Sequence, residues 1–336
     1  MRAFEYTSPA TIDEALALLG PTGAAGDGAG RLLAGGTDLL TLMKADLMAP
    51  PRLVNVKRIS SLASEIEDTP GGLRLGALTT LAQIETSPLV RERAPALAEA
   101  AALAATPQLR NMATIGGNLL QRPRCWYFRN PRIHCWLKGG DECQARDGEN
   151  QLHALFGGGP CSAVHPSDPA TALVALDAEV QLRGPNGERA VPIAELFALP
   201  VPDRRNETVV RGDELVLSIG LPRPPDGTRS TYLKAMDRKV WAFALVGVAA
   251  VARVAGGRIE DARLVLGGVA PIPWRVQAAE RELVGAKPST DLFGRAAEVA
   301  LKDAQPLRHN AYKLSLTKAL IRRALEMLLV PGSVHH

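Results

Sequence analysis

Short apolar runs alternate with glycine- and proline-rich breaks along the first part of the chain. The segment 11–19 (TIDEALALL) opens with a threonine three residues before a glutamate and keeps its apolar side chains on one face, which predicts a helix. A glycine-rich loop follows at 20–30. Further on, the pattern predicts a strand at 31–34, an apolar helix at 39–43, a break at Pro50-Pro51 and a strand at 53–56. Together these elements predict a first α/β subdomain, residues 1–58.

A second α/β subdomain is predicted over residues 59–221. The pattern places strands at 73–77 and 213–221, helices at 79–85 and 94–105, a glycine turn within 111–120, and a helix followed by a strand within 171–182. The stretch 121–167 is different, because it contains few periodic apolar positions. We expect that this insertion cannot build a core by burial alone.

The proline-rich segment 222–225 predicts a domain boundary. Beyond it, residues 226–330 predict a C-terminal domain with a small antiparallel sheet packed on a helical bundle. Its strands are expected at 246–254 and 263–267, and its helices at 278–283, 293–301 and 313–329. The fold class is therefore α+β.

Composition narrows the possible functions. The chain has 336 residues, of which 46% are hydrophobic and 22% charged, as in globular rather than disordered or membrane proteins. Its 39 Lys and Arg face 35 Asp and Glu without long basic runs, which argues against a nucleic-acid partner. Residues 1–10 lack the features of a secretory signal, and the longest apolar run, 241–252, is too short to cross a bilayer.

Two pairs of neighbouring glycines are candidate phosphate-binding segments. Consecutive glycines let several backbone N–H groups point at one place, and such a nest attracts phosphate without a charged side chain. The candidate residues are Ala34, Gly35, Gly36, Thr37, Asp38 and Leu39 in the first segment, and Thr114, Gly116, Gly117 and Asn118 in the second. One such pair is usually only a turn, but two suit the two sides of a pyrophosphate. Neither matches the G-x-G-x-x-G or P-loop pattern.

All cysteines of the chain fall within 37 positions. They are Cys125, Cys135, Cys143 and Cys161. Three interpretations compete: two disulfides, a zinc ion held by four thiolates, or an iron-sulfur cluster held by the same four. The spacing alone does not decide between zinc and cluster. His134 and His165 adjoin this set and could replace a thiolate as ligand.

Two charged residues elsewhere are weaker candidates. Asp168 lies just before a predicted helix at 170–176, where a helix cap at Ser167 or Asp168 is the ordinary explanation. Lys234 lies in the charged stretch 232–239, which is typical of solvated surface.

Four motifs in order resemble one family. These are AGGTDL at 34–39, ATIGGN at 113–118, the alanine- and leucine-rich pattern from Ser167 to Ala178, and YLKAMDR at 232–238. The combination resembles the FAD-binding medium subunit of molybdenum hydroxylases over nearly the whole chain. The resemblance implies a PCMH-type FAD-binding domain in two subdomains and a flavoprotein C-terminal domain. It also implies that both glycine segments hold the FAD pyrophosphate, Asp168 lies against the flavin's sugar chain and Lys234 lies near the isoalloxazine.

The cysteine insertion resembles a narrower group. The motifs RPRCWYFR at 122–129, CWLKGGDEC at 135–143 and the segment 161–168 look like the flavin subunit of periplasmic aldehyde oxidoreductases. In that group, four cysteines bind a [4Fe-4S] cluster, so the resemblance implies that Cys125, Cys135, Cys143 and Cys161 do so here. The flavin subunit of 4-hydroxybenzoyl-CoA reductase also has a cluster-bearing insertion.

The function implied is that of an electron-transfer subunit in a heterotrimeric aldehyde oxidoreductase. A large subunit with the molybdenum cofactor and a small [2Fe-2S] subunit would be its partners, and electrons would pass through FAD to an external acceptor. A partner's export signal would take the complex to the periplasm, whereas without one it would be cytoplasmic. The alternatives are the flavin subunit of another molybdenum hydroxylase, acting on purines, N-heterocycles or hydroxybenzoyl-CoA, and a non-catalytic scaffold stapled by a four-cysteine zinc site.

Overall fold

A computed structural model describes residues 1–20 and 30–330 of the protein. Most of the predicted glycine-rich loop, residues 21–29, lies outside the described residues. Among the described helices, none combines the length and apolar character needed to cross a membrane.

The first unit is a small parallel sheet with two helices. Its elements are β1 (Glu5–Thr7), α1 (Ile12–Leu19), β2 (Arg31–Leu33), α2 (Leu39–Lys44) and β3 (Arg52–Asn55), followed by a 3₁₀ turn at Val56–Arg58. The strand order is β1-β3-β2, with Leu32 opposite Val54. The Thr11 hydroxyl caps α1 by accepting a hydrogen bond from the backbone N–H of Glu14, as the sequence predicts. Strand β2 leads directly into the first glycine segment, which places that segment at the carboxyl edge of the sheet.

The second unit is an antiparallel five-stranded sheet covered by short helices. It contains β4 (Ile66–Thr69), β5 (Gly72–Gly76), α3 (Leu81–Thr86), α4 (Pro88–Arg93), α5 (Pro95–Ala102), α6 (Pro107–Arg110), α7 (Ile115–Leu119), α8 (Trp126–Arg129), α9 (Asp168–Ala175), β6 (Glu179–Gly184), β7 (Gly187–Pro192), α10 (Ile193–Leu196) and β8 (Leu215–Pro222). The strand order is β4-β5-β8-β6-β7. The predicted helix 94–105 is shorter at both ends, because Pro95 occupies its first turn and Ala105 adopts a positive φ of 50°.

The prediction of a glycine turn within 111–120 is wrong in one respect. Gly116 and Gly117 lie inside the short helix α7 rather than in a turn. The hydroxyl of Thr114 accepts a hydrogen bond from the backbone N–H of Gly117 and so caps this helix. Such a cap offsets the poor helix propensity of two adjacent glycines.

The insertion 121–167 has little regular structure, but it does contain a small apolar cluster, contrary to the expectation from its sequence. Besides α8, it forms a 3₁₀ turn at Trp136–Lys138. The cluster consists of Leu42, Phe128, Cys135, Trp136, Leu137, Cys161 and Ala163, all buried. Leu42 comes from α2, so the insertion completes its core with a residue from the first unit, which its own pattern could not reveal.

The third unit is a four-stranded antiparallel sheet with three helices. Its elements are β9 (Thr228–Ala235), β10 (Val246–Ala255), β11 (Arg258–Gly267), β12 (Trp274–Arg275), α11 (Gln277–Leu283), α12 (Thr290–Ala300) and α13 (Tyr312–Leu329). The strand order is β12-β11-β10-β9, and helices and sheet share one apolar core. The predicted α+β class is confirmed. The domain limits 1–58, 59–221 and 226–330 stay predictions, although β8 ends at Pro222, where the boundary is expected.

Candidate functional site

A cavity of about 870 Å³ lies beside both glycine segments. Its walls include residues 34–39 of the first segment, part of the second segment, and polar side chains from the insertion and from the loop before β8. The polar residues on which the description below depends are Thr37, Asp38, Asn118, Arg122, Arg124 and Glu207. The structure therefore brings together the two segments that the sequence singled out.

The two segments touch where Gly35 meets the backbone of Met112. A Cβ atom at Gly35 would lie 1.8 Å from the Met112 carbonyl oxygen, a distance that no side chain tolerates. Gly36 adopts a φ of +70°, which also favours glycine. Glycine at these positions is thus required by the close approach of the two backbones.

The first segment presents unsatisfied donors to the cavity. Within the described residues, the backbone N–H groups of Gly36, Thr37 and Asp38 donate to no protein acceptor. The hydroxyl of Thr37 is buried and also lacks a hydrogen-bond partner. Buried polar groups are normally paired, so the unpaired Thr37 hydroxyl, together with the free amides of these half-buried residues, suits a ligand that accepts hydrogen bonds.

The predicted second nest is not formed, because the amides of the second segment are already used. Ile115 N donates to Thr79 O at 2.8 Å and Gly116 N donates to Ala77 O at 3.0 Å. Gly117 N and Asn118 N donate to the hydroxyl and the carbonyl of Thr114, respectively. What this segment offers the cavity is a backbone surface without a Cβ at the exposed Gly117.

Asp38 ties the first glycine segment to the insertion. Its Oδ1 accepts hydrogen bonds from Arg124 and, at 2.9 Å, from Nη2 of Arg129, and its Oδ2 accepts one from the backbone N–H of Arg122 at 2.8 Å. These three donors hold the Asp38 carboxylate within the protein. Its backbone N–H has no protein acceptor among the described residues, and its predicted part in cofactor binding stays a prediction.

The arginines around Asp38 are functional candidates that sequence reasoning missed. Arg122 pairs with Glu207 at 2.9 Å, and the guanidinium of Arg124 lies 5.0 Å from the ring centre of Phe243. Both line the cavity, where they would face an anion. Burial lowers the pKa of Arg129, with the nearby Arg124 adding to the effect, and burial raises the pKa of Glu207. The motif RPRCWYFR contained the signal, three arginines around one cysteine, but it was used only for the cluster.

Lys234 and Asp168 form a buried ion pair at the junction of the second and third units. Lys234 Nζ lies 2.8 Å from Asp168 Oδ2 and donates to the carbonyl oxygens of Leu103 and Ala242, each also at 2.8 Å. The Tyr232 hydroxyl donates to Asp168 Oδ1 at 2.5 Å. Burial raises the pKa of Asp168, while Lys234 opposes this effect.

This arrangement corrects one expectation, because the side chain of Lys234 is fully buried rather than on a solvated surface. Its three donors are all used within the protein, and each oxygen of Asp168 accepts one hydrogen bond. The predicted positions of Lys234 near the isoalloxazine and of Asp168 against the flavin's sugar chain stay predictions. The cap of α9 is Ser167, whose hydroxyl accepts from Ala170 N at 3.0 Å.

The four cysteines converge as free thiols in the insertion. Cys135 and Cys161 belong to the apolar cluster described above, and Cys125 packs against it. The thiols of Cys143 and Cys161 share a hydrogen bond. Backbone N–H groups donate to three of the four sulfurs: those of Tyr127 and Phe128 to Cys125, those of Ala145 and Ser162 to Cys143, and that of Ala163 to Cys161. These donors stabilise thiolates.

The thiol pKa values reflect this environment. Burial raises the pKa of Cys125 to about 11, and the neighbouring Cys143 and Cys135 add to the rise. The hydrogen bond from Cys161 lowers the pKa of Cys143 to about 5, and the same bond raises that of Cys161. Four thiolates in this region would need a cationic partner, because an unpaired buried charge is costly. Even so, among the described residues no three His, Cys, Asp or Glu side chains are gathered closely enough to hold one metal ion.

The histidine next to the thiols is not the one expected. His134 is exposed, and His165 is buried with its Nδ1 accepting from Ser167 N at 3.3 Å. Neither is placed beside a sulfur. Instead, Nε2 of His153 lies 3.2 Å from Cys125 Sγ. Burial lowers the pKa of both His153 and His165 to about 4, so both rings are neutral at pH 7.

Comparison with known proteins assigns both parts of the chain. Residues 2–224 match the family of the FAD binding domain in molybdopterin dehydrogenase, and residues 231–328 match the CO dehydrogenase flavoprotein C-terminal domain. The chain is 37% identical over 330 residues to the aldehyde oxidoreductase FAD-binding subunit PaoB of Escherichia coli (strain K12), which covers 97% of this chain and 98% of that protein.

A second relative agrees in both sequence and structure. The carbon monoxide dehydrogenase medium chain of Hydrogenophaga pseudoflava is 32% identical over 327 residues, 96% of each chain. A solved structure of carbon monoxide dehydrogenase from that organism, lacking the Mo-pyranopterin moiety of the molybdenum cofactor, aligns with a TM-score of 0.75 at 29% identity. The alignment covers 97% of this chain and 96% of that chain. This similarity confirms the predicted fold of a FAD-binding domain followed by a C-terminal domain.

The close backbone contact at Gly35 predicts a position-specific effect of alanine. Gly35→Ala forces its Cβ into the Met112 carbonyl, so unfolding free energy should fall by about 1–3 kcal/mol and flavin content should fall with it. Gly294→Ala is the matched control, because nothing lies within 4 Å of its Cβ in the middle of α12. It should gain about 0.5–1 kcal/mol and keep flavin. If the two variants showed the same unfolding free energy and the same flavin absorbance, the close contact between Gly35 and the Met112 carbonyl would be contradicted.

The buried pair predicts a loss of stability when one partner is removed. Lys234→Met leaves the Asp168 carboxylate buried without its cation and should cost about 3–5 kcal/mol in denaturant unfolding. The double variant Lys234→Met with Asp168→Asn removes both charges and should recover most of that loss. If Lys234→Met instead kept full stability and lost only flavin, the ammonium would belong to the cofactor site.

Proposed function

Because the chain belongs to the family of FAD-binding medium subunits of molybdenum hydroxylases, we propose that it is the electron-transfer subunit of a molybdenum-dependent aldehyde oxidoreductase. In this proposal it binds one FAD and one [4Fe-4S] cluster, and the aldehyde is oxidised in a partner chain. The FAD would be held in this chain, where it would supply the chemistry for receiving electrons from the partner chains and for passing them to an external acceptor.

The observation that carries the FAD assignment is the unsatisfied set of donors at the first glycine segment. The amides of residues 36–38 and the buried Thr37 hydroxyl suit the oxygens of a pyrophosphate. Arg122 and Arg124 supply positive charge on the same cavity. The cavity volume, about 870 Å³, is within the range of roughly 300–1,000 Å³ that is usual for cofactor sites. These features fit a dinucleotide diphosphate.

The assignment of aldehydes as substrates rests on similarity rather than on a pocket. The relative at 37% identity is named as a subunit of an aldehyde oxidoreductase and aligns over 97% of this chain. Relatives at lower identity are named for carbon monoxide and other substrates, so the flavin subunit of another molybdenum hydroxylase is the alternative.

The cluster assignment is supported by the donor set. Cys125, Cys135, Cys143 and Cys161 are free thiols of one buried region, and the sulfurs of three of them receive backbone N–H bonds. Iron-sulfur clusters are held by four thiolates whose hydrogen bonds set the potential. Among the described residues no three of these side chains surround a single metal ion, so the support is the set of four cysteines itself rather than a preformed cage. Zinc is the alternative.

The partners proposed are a large subunit with the molybdenum cofactor and a small [2Fe-2S] subunit. Support comes from the relatives, which are named as medium chains and subunits of larger enzymes. We also propose that the complex works in the periplasm and is exported with a partner that carries the signal. Co-purification from the native host, with separate analysis of periplasm and cytoplasm, tests both points.

The orphaned hydroxyl predicts a selective loss of flavin affinity. Thr37→Val keeps the shape of the side chain but removes the donor, so the Kd for FAD should rise about tenfold, in line with roughly 1.5 kcal/mol for a hydrogen bond to a charged group. Titration of the deflavinated complex with FAD measures it. Thr41→Val is the control, since the Thr41 hydroxyl already donates to Asp38 O at 2.6 Å. An unchanged Kd in Thr37→Val would remove this residue from the site.

Metal and flavin analysis tests the cofactor content. Anaerobically purified complex should contain about one FAD in this chain and roughly four irons beyond those of the small subunit. Cys135→Ser should lower this iron and loosen residues 121–167, while FAD stays bound with weaker affinity, because the first glycine segment lies outside the insertion but Arg122 and Arg124 of the insertion also line the cavity. Zinc without iron at these cysteines would reject the cluster, and joint loss of both cofactors would show that the two sites depend on each other.

A further inference from the structure

His153 is a buried residue without an assigned role. Its side chain points at the cysteine set, with Nε2 placed 3.2 Å from Cys125 Sγ, and only 2% of the residue is exposed. Its other ring nitrogen, Nδ1, is buried and has no hydrogen-bond partner. The sulfur of Cys125 is therefore the one hydrogen-bond partner of this ring among the described residues.

The position of the ring is fixed from two sides. The His153 backbone N–H donates to Asn150 O at 3.0 Å, and its carbonyl accepts from Asn310 Nδ2 and Lys313 Nζ, each at 3.1 Å. Lys313 is itself fully buried and also donates to Gly268 O at 2.8 Å. The His153 ring packs edge-on against Trp126 with centroids 4.9 Å apart. The third unit thus holds the imidazole against Cys125.

The direction of the hydrogen bond follows from the chemistry of the pair. A cysteine that binds a cluster is a thiolate and has no proton to donate. A neutral imidazole carries one N–H, and only Nε2 faces an acceptor, whereas Nδ1 faces none. The Nε2–H tautomer, donating to sulfur, is therefore the one that makes a bond.

We propose that His153 is a positioning residue that donates a hydrogen bond from Nε2 to the Cys125 thiolate and thereby raises the reduction potential of the cluster. This inference rests on the proposed [4Fe-4S] cluster. Reduction adds negative charge to the cluster and its sulfurs, so a donor fixed at one sulfur stabilises the reduced state more than the oxidised one. Outer-sphere hydrogen bonds of this kind also orient metal ligands.

The contribution of His153 can be separated from that of the backbone donors. Cys125 receives N–H bonds from Tyr127 and Phe128, and these remain in any side-chain variant. Among the four cysteines, Cys125 is the one with an imidazole within hydrogen-bond distance in the described structure. A change at His153 should therefore alter one sulfur and leave its backbone donors intact.

The test uses the intact complex and an EPR-monitored redox titration of the cluster. His153→Leu removes the donor while keeping an apolar side chain, and the equilibrium constant for one-electron reduction should fall about tenfold, equal to about 59 mV. His153→Gln places an amide N–H near the position of Nε2 and should restore most of the potential. His134→Leu is the matched control, because His134 is exposed and adjoins Cys135 without a bond to sulfur.

Each outcome bears on the inference. A lower potential in His153→Leu, restored in His153→Gln and unchanged in His134→Leu, supports it, as does loss of iron in the leucine variant alone. An unchanged potential in His153→Leu with full iron content overturns it, and equal losses in the leucine and glutamine variants assign His153 a packing role instead. Absence of iron from this chain in the wild-type complex would be a failure of the proposed function, and the inference would fall with it.

Discussion

The carboxylate of Asp38 is the interaction on which the arrangement of the site depends. It stands at the end of the first glycine segment and receives donors from three residues of the insertion, Arg122, Arg124 and Arg129. A largely buried carboxylate is stable only when its charge is paired and its oxygens accept hydrogen bonds. The three donors to Asp38 supply both. One aspartate thereby fixes the first glycine segment relative to the cysteine region.

The third unit adds a second level of constraint through two buried lysines. The ammonium groups of Lys234 and Lys313 donate hydrogen bonds to acceptors from distant parts of the chain, among them Leu103 O and His153 O, respectively. Burial lowers the pKa of Lys313 to about 7, because removing the ammonium from water destabilises its charged form. The carbonyl oxygens of His153 and Gly268, which accept its hydrogen bonds, offset part of this effect. Both lysines therefore connect separate units of the fold. The sequence predicted a solvated surface position for Lys234 because its acceptors lie in distant segments.

The sequence predicted what local patterns encode. Caps, prolines and apolar periodicity located α1, α2 and the three C-terminal helices to within a few residues, and the paired glycines located the cavity. The sequence could not show that the amides of the second glycine segment donate hydrogen bonds to residues 77, 79 and 114, because two of these partners are reached only through tertiary contacts. Strand β9 was missed because its buried positions include Ser230 and Thr231, whose hydroxyls bond Ala96 N and the Glu99 carboxylate. The contact of His153 with Cys125 could not be predicted for the same reason, because the two residues lie 28 positions apart in the chain.

The contacts that hold His153 in place span a long stretch of chain and so bear on biosynthesis. Its carbonyl is bound by Asn310 and Lys313, which lie 157 and 160 residues further along. Because a ribosome delivers the chain from its N-terminus, the surroundings of Cys125 stay unfinished until the segment that begins α13 has emerged. Completion of this corner therefore depends on the folding of the C-terminal unit as well as on that of the flavin-binding half, whose Asp38 binds the same insertion.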